Sequence, residues 1–186
     1  MFLEHGFELT TIEAVAARVN MTKRTVYARY EDKAELFKAA VRRAIERTIV
    51  PRETLDALDD GDLEGTLARF ARMRVAHVMT PEGMRLQRVV NTESYRFPEI
   101  FTWSYEDGAG PAISFLTDLL RRYESLGQIH VGRPEMVAGV FMSMVVGGIV
   151  RSLLAGVAPS QDEIDDRTSF AVRLFLNGAR PRKGSL

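Results

Sequence analysis

Thr22-Lys23-Arg24-Thr25-Val26-Tyr27-Ala28-Arg29-Tyr30 is the stretch whose reading decides the fold. It is short, basic and rich in hydroxyl groups, and Thr22 is a good N-cap for a helix over these residues. Just upstream, Ile12, Val15, Ala16 and Val19 recur at helical spacing, and Thr10 stands three residues before Glu13. That Thr-x-x-Glu box predicts a helix starting at Thr11, with one apolar face. Asn20 tolerates the left-handed conformation that often closes a helix, so two helices meet across a tight connection. This is helix-turn-helix spacing. In the second helix Val26 faces inward, while Lys23, Arg24, Thr25, Tyr27 and Arg29 can project outward. A guanidinium suits guanine, a threonine offers a hydroxyl or a methyl, and lysine and tyrosine suit phosphates. A helix held out this way fits the DNA major groove.

Asp32 and Glu35 repeat the capping box, with Lys33 at the first position of the next helix. A helix N-terminus beside a lysine is a natural phosphate contact. That helix reads as Asp32 to about Val50, with Leu36, Phe37, Ala40, Val41 and Ile45 as its apolar positions and Pro51 ending it. From Arg18 to Arg47 there are nine basic residues against four acidic ones, whereas residues 51–66 hold one basic residue against six acidic ones. The formal net charge of the chain is zero, so the distribution carries the information. It separates a region suited to nucleic acid from the rest.

The ordered residues Thr10-Thr11-Ile12, Val15-Ala16, Val19 to Tyr30 and Asp32-Lys33-Ala34-Glu35-Leu36 resemble the DNA-binding domain of TetR-type transcriptional regulators. The resemblance implies an all-α homodimer with a small helix-turn-helix domain and a larger helical ligand-binding and dimerisation domain. It implies a palindromic double-stranded DNA operator and, usually, repression relieved by a small-molecule effector. By the same resemblance Lys23, Tyr27 and Lys33 contact phosphates, and Arg24, Thr25 and Arg29 read bases. Thr11 and Thr22, at the starts of the two helices, complete the DNA-contacting set, and Tyr30 packs inside the small domain. One departure is large: before the Gly6-Phe7 corner stand only Met1-Phe2-Leu3-Glu4-His5, so most of the first helix is missing. The expectation is a native start upstream, with Phe2, Leu3 and Phe7 capping a core designed for more.

Three segments are expected: a DNA-binding domain over 1–48, a helical ligand-binding and dimerisation domain over 49–178, and a basic flexible tail over 179–186. After an acidic link around Gly61, Leu63, Leu67, Phe70, Ala71, Val75 and Val78 mark a helix through Met79. Thr80-Pro81 starts another, running to about Tyr95, and Pro98 breaks it. An aromatic segment, Ile100 to Tyr105, is closed by Gly108 and Gly110. A helix then ends at Gly127, and the last two run from Pro134 to about Leu154 and from Asp162 to about Leu176. Arg96-Phe97-Pro98-Glu99 and its surroundings resemble the C-terminal domain of an AefR-like subgroup of TetR proteins.

Dimerisation is expected through the last two helices, where Gly139, Ser143 and Gly147 permit close approach and Phe170 and Leu174 complete the contact. Phe70, Met73, His77, Phe97, Phe101, Trp103, Phe115, Phe141 and Met142 are the candidate lining of an adaptable apolar pocket. At helical spacing the same residues also make ordinary core. Asn91 and Glu93 are candidate polar anchors.

There is no cysteine, which removes disulfide and thiol chemistry and fits a reducing cytoplasm. The longest apolar run, residues 136–150, is shorter than the roughly 20 residues that span a bilayer, so no membrane role is expected. Neither a paired nucleophile and base, a metal-ligand cluster nor a phosphate loop is present, which argues against an enzyme, a metal or a cofactor. Two alternatives stay open beside the ligand-gated regulator: a DNA-binding dimer without inducer, and a ligand-binding dimer whose DNA binding is lost with its first helix.

Overall fold

The computed structural model describes residues 1–180. Of the expected tail 179–186, everything from residue 181 lies outside the described residues. The elements are α1 (Phe2–His5), α2 (Ile12–Arg18), α3 (Lys23–Tyr27), α4 (Lys33–Arg47), α5 (Arg52–Asp56), α6 (Leu63–Met79), α7 (Pro81–Glu93), α8 (Pro98–Trp103), a π-helical turn (Ser104–Ala109), α9 (Gly110–Ser125), α10 (Pro134–Leu154) and α11 (Gln161–Ala179). No strand occurs among the described residues.

These elements sort into two bodies. The first holds Met1–Ile49 together with Pro81–Gly108, and the second holds Val50–Thr80 together with the chain from Ala109 onward. The first of these cuts falls between Ile49 and Val50. However, α7, α8 and most of the π-helical turn group with the helix-turn-helix, because their apolar side chains are its core. Phe2, Phe7, Phe37, Val41, Ile45, Leu86, Val89, Val90, Phe97 and Ile100 are buried together. Phe37, fully buried, meets Phe2, Phe7 and Phe97 at ring-centre distances of 5.2 Å each. Such tilted and edge-on contacts between large rings dominate the energetics of a small core.

The short α1 is held by this arrangement. Arg88 on α7 donates to the carbonyls of Leu3 and Glu4, at 3.1 and 2.6 Å, satisfying acceptors that the end of a helix leaves open. Glu93, anticipated as a ligand anchor, accepts instead from the Phe7 backbone N–H at 3.0 Å. Gly6, at φ +76°, makes the corner, and a Cβ there would lie 3.0 Å from the Glu93 carboxylate. Beside α1, an open cleft of about 470 Å³ is lined by Phe2, Leu3, Val15, Val19, Ala40 and Arg85 among others.

In the second body α6, α9, α10 and α11 enclose a larger core that includes Leu67, Phe70, Phe115, Leu116, Tyr123, Phe141, Val145, Ile149, Val172 and Leu176. The acidic run before α6 is engaged in structure. Asp59 takes Arg122 and the Tyr123 hydroxyl, Asp60 takes Arg69 at 2.6 Å, and Asp62 caps α6 by accepting from Gly65 N–H at 2.9 Å. Arg52 on α5 bridges Asp56 and Asp118 at 2.8 and 2.9 Å. Helix α10 is 21 residues, longer than its apolar run, and by length and composition alone it would suffice to cross a membrane. Its inner face, Ala138, Phe141, Met142, Val145 and Ile149, is buried in this body.

Several expected ends moved: α3 closes at Tyr27 rather than Tyr30, and α11 runs on to Ala179 rather than Leu176. Helix α4 stops at Arg47 rather than Val50, where the Thr48 hydroxyl donates to the Ile45 carbonyl at 2.7 Å. The aromatic segment is not closed at Gly108 as expected: it is the short helix α8 followed by a π-helical turn over Ser104–Ala109.

Candidate functional site

The reading head is built by capping. Thr11, and not Thr10, is the N-cap of α2, its hydroxyl accepting from Ala14 N–H at 3.1 Å. Thr10 is buried and donates to the Gly6 carbonyl at 2.9 Å, so the apparent box was out of register by one. Asn20 takes the left-handed conformation at φ 53°, and Thr22 caps α3 by accepting from Thr25 N–H at 3.1 Å. Asp32 caps α4, while Glu35 reaches the Glu31 N–H rather than that of Asp32. Val26 is buried on Ile12 and Ala16, with Tyr30 and Leu36 packed against them. This fixes which side of α3 faces out.

On that outward side Lys23, Arg24, Thr25 and Tyr27 are exposed; Arg29 is exposed in the turn just beyond α3, Thr11 and Thr22 are exposed at the helix starts, and Lys33 is half-buried. Their states differ. Arg24 and Arg29 have no ion pair among the described residues, so both guanidiniums are available to a ligand. Lys23 pairs with Glu13 of α2 and lies 5.7 Å from the centre of the Tyr27 ring. The hydrogen bond between Lys23 and Glu13 raises the lysine pKa and lowers the carboxyl pKa. The Thr25 and Thr22 hydroxyls lie 2.8 Å apart, and Lys33 donates to the Glu8 carbonyl at 3.2 Å above the Phe7 ring. Thus Arg24 and Arg29 carry no ion pair, whereas Lys23 and Lys33 each hold an internal partner.

A family model described as "Bacterial regulatory proteins, tetR family" matches residues 1–40. A second, described as "AefR-like transcriptional repressor, C-terminal domain", matches residues 65–178. The chain belongs to the TetR family. Proteins of this family are DNA-binding transcriptional regulators rather than enzymes. The HTH-type transcriptional regulators Rv1556 of Mycobacterium tuberculosis and Mb1581 of Mycobacterium bovis, both described as uncharacterized, are 44% identical to it over 57 residues. That match takes in 31% of this chain and spans only 28% of the length of those relatives.

Among solved structures, a TetR-family regulator from Mesorhizobium loti superposes with a TM-score of 0.80 at 21% identity, over 97% of this chain and 91% of the other. The flavonoid-responsive regulator FrrA gives a TM-score of 0.72 at 26% identity, over 97% and 92%. NalD of Pseudomonas aeruginosa, a repressor of a multidrug efflux pump, gives 0.68 at 18%, over 96% and 89%.

Of the nine residues anticipated to line a TetR effector pocket, the structure gathers six in the second body. Phe70 and Phe115 stack at 5.8 Å, Phe141 and Met142 are buried, Met73 packs at the edge of that core and His77 is half-buried. Phe97, Phe101 and Trp103 belong to the first body instead. Phe97 fills its aromatic core, Phe101 is exposed beside Tyr105, and Arg42 covers Trp103 at 5.1 Å. Their aromatic character could not say which core they serve.

Of the anticipated dimer residues, Ser143, Phe170 and Leu174 are exposed and Gly139 and Gly147 are half-buried. Met136, Val140, Ser143 and Gly147 form one stripe on α10, and nothing lies within 4 Å of a Cβ built on Gly147. Large apolar side chains on this outer face, Met136, Val140, Phe170 and Leu174, are each more than half exposed.

Sequence reading missed Arg74. It is 8% exposed, and its Nε and Nη1 are buried without a hydrogen-bond partner. The signal was present, since Arg74 falls on the apolar stripe of α6, four residues from both Phe70 and Val78.

Proposed function

We propose that this TetR-family regulator is a homodimeric repressor that reads a palindromic operator with two copies of α3 and is released by a small-molecule effector held in its second body. The observation that carries the reading is the outward face of α3. Arg24 stands there exposed and unpaired on a helix whose other face is anchored by Val26 and whose start is capped by Thr22, and Arg29 is exposed and unpaired in the turn that follows. Within this reading Arg24, Thr25 and Arg29 read bases, and Thr11, Thr22, Lys23, Tyr27 and Lys33 position the backbone.

Two copies about one helical turn of DNA apart need a symmetric dimer. The exposed large apolar side chains of α10 and α11 support one, because apolar groups gathered on a surface favour association. Gly139 and Gly147 let two helices approach there, and Phe170 and Leu174 supply the apolar contact. The match to an AefR-like repressor domain supports repression, and the flavonoid-responsive relative supports a small-molecule effector. An effector acts by binding more tightly to the conformation whose reading heads do not fit consecutive grooves.

The test is selection of genomic DNA fragments on the full chain, followed by binding isotherms at several salt concentrations. An inverted repeat should emerge, bound by two chains. Lys23→Ala should weaken binding to all sequences and flatten the salt dependence, whereas Arg24→Ala should relax the preference at one position of each half-site. Fragments recovered without any shared sequence would overturn the reading.

A further inference from the structure

Five polar or charged residues are buried among the described residues, and four of them are threonines. Thr10 and Thr117 donate to the carbonyls of Gly6 and Ile113, and Thr66 accepts from Arg69. The fourth, Thr168 on α11, has a buried hydroxyl with no partner. The fifth is Arg74, with two unmet nitrogens and no carboxylate near enough to pair.

The unmet groups stand on two helices of the second body, α6 and α11, that pack against each other. Glu64 at the start of α6 pairs with Arg180 just beyond the end of α11 at 2.8 Å, so these helices, which pack along their length, run antiparallel. Counting inward from that pair with equal rise on both helices brings Thr168 opposite the turn of α6 that follows Arg74. The walls are apolar: Phe70, Ala71 and Val78 share the Arg74 face of α6, and all are buried. Burial pushes the Arg74 pKa down from its ordinary value, yet a guanidinium stays charged in a protein. A buried cation without a counter-charge is strongly disfavoured.

We infer that Arg74 is the anchor for an acidic effector, a small organic monoanion whose carboxylate pairs with the guanidinium and whose apolar body packs among Phe70, Phe115 and Met142, with the Thr168 hydroxyl as a further donor. This rests on the effector reading above and names the chemical class of the ligand. One cation in apolar walls selects a single negative charge on a hydrophobic frame, since a dianion would leave an excess charge buried. Planar guanidinium matches carboxylate geometry and gives the stronger, charge-assisted kind of hydrogen bond. An anion entering here supplies what the ligand-free interior lacks, which is the differential affinity that a switch requires.

The experiment uses the full chain with 1-naphthoate and its neutral isostere 1-naphthamide, read by calorimetric titration and thermal unfolding, on wild type, Arg74→Met and Thr168→Val. Wild type should bind the acid on the order of tenfold or more tightly than the amide, and Arg74→Met should abolish or reverse that preference. In ligand-free buffer Arg74→Met should melt at a higher temperature than wild type, because it removes an unpaired buried charge. The inference is overturned if wild type fails to prefer the acid, or if Arg74→Met melts lower without ligand. Operator DNA separates the two readings. Acid bound through Arg74 with no loss of DNA affinity leaves the anion site standing and removes effector release. A neutral ligand that displaces DNA from wild type and Arg74→Met alike does the reverse.

Discussion

The two bodies of this TetR-family protein treat their polar groups differently. In the first, the long-range polar contacts close: Glu93 holds Phe7, Arg88 holds the end of α1, and Thr10 holds Gly6. Four phenylalanines then fill the space between helices that are too short to be stable alone. In the second, the core is larger, but Arg74 and Thr168 are left without partners. A part that presents side chains at fixed positions gains from having its internal bonds made, and on the effector reading proposed above a part that answers a ligand keeps bonds for the ligand to complete. Unmet polarity, more than the count of aromatic residues, distinguishes the second core from the first.

That contrast can be broken most severely at Phe97. Phe97→Ala removes a ring shared by Phe7 and Phe37 and should cost about 3–5 kcal/mol, measured as a lowered denaturation midpoint with loss of operator binding. A change within the noise would mean that the aromatic cluster does not hold the reading head. Next comes Arg24→Ala, expected to lose about 1–3 kcal/mol at one base pair per half-site while leaving the melting temperature unchanged; binding to a scrambled site should scarcely move. Glu93→Ala frees the Phe7 N–H and should destabilise by about 1–2 kcal/mol in chemical denaturation. Thr168→Val sharpens the comparison from the other side. Removing a hydroxyl that has no partner should leave stability unchanged or raise it by up to about 1 kcal/mol, and a clear loss would place an unrecognised bond there. The smallest effect belongs to Glu13→Gln, which releases Lys23 on the outward face: affinity for any DNA should rise severalfold, with a steeper dependence on salt.

Much of the reading head was legible before any coordinates. Asn20, Thr22 and Asp32 announce their helix ends because each role depends on local backbone chemistry, and the structure places all three in those roles. The same locality explains the slip at Thr10, where adjacent threonines offer the same cap and only the Gly6 carbonyl decides between them. Helix α5 and the π-helical turn carry too few residues for a period to be read. Phe97 was assigned to the wrong core for a different reason: helical spacing reports that a face is buried but not what covers it. Arg74 follows from that limit, since a cation on an apolar stripe is visible in sequence, whereas the absence of a counter-charge is a three-dimensional fact.

The pairing of residues 81–108 with the first fifty has a practical side for anyone who would exchange specificities between regulators. The reading head is not an N-terminal module that can be cut at residue 49 and spliced to a different effector body, because the ring that plugs it and the carboxylate that pins its corner arrive from far along the chain. A working chimera has to carry two separate inserts and preserve three covalent junctions, so the natural unit of transplantation here is a discontinuous one.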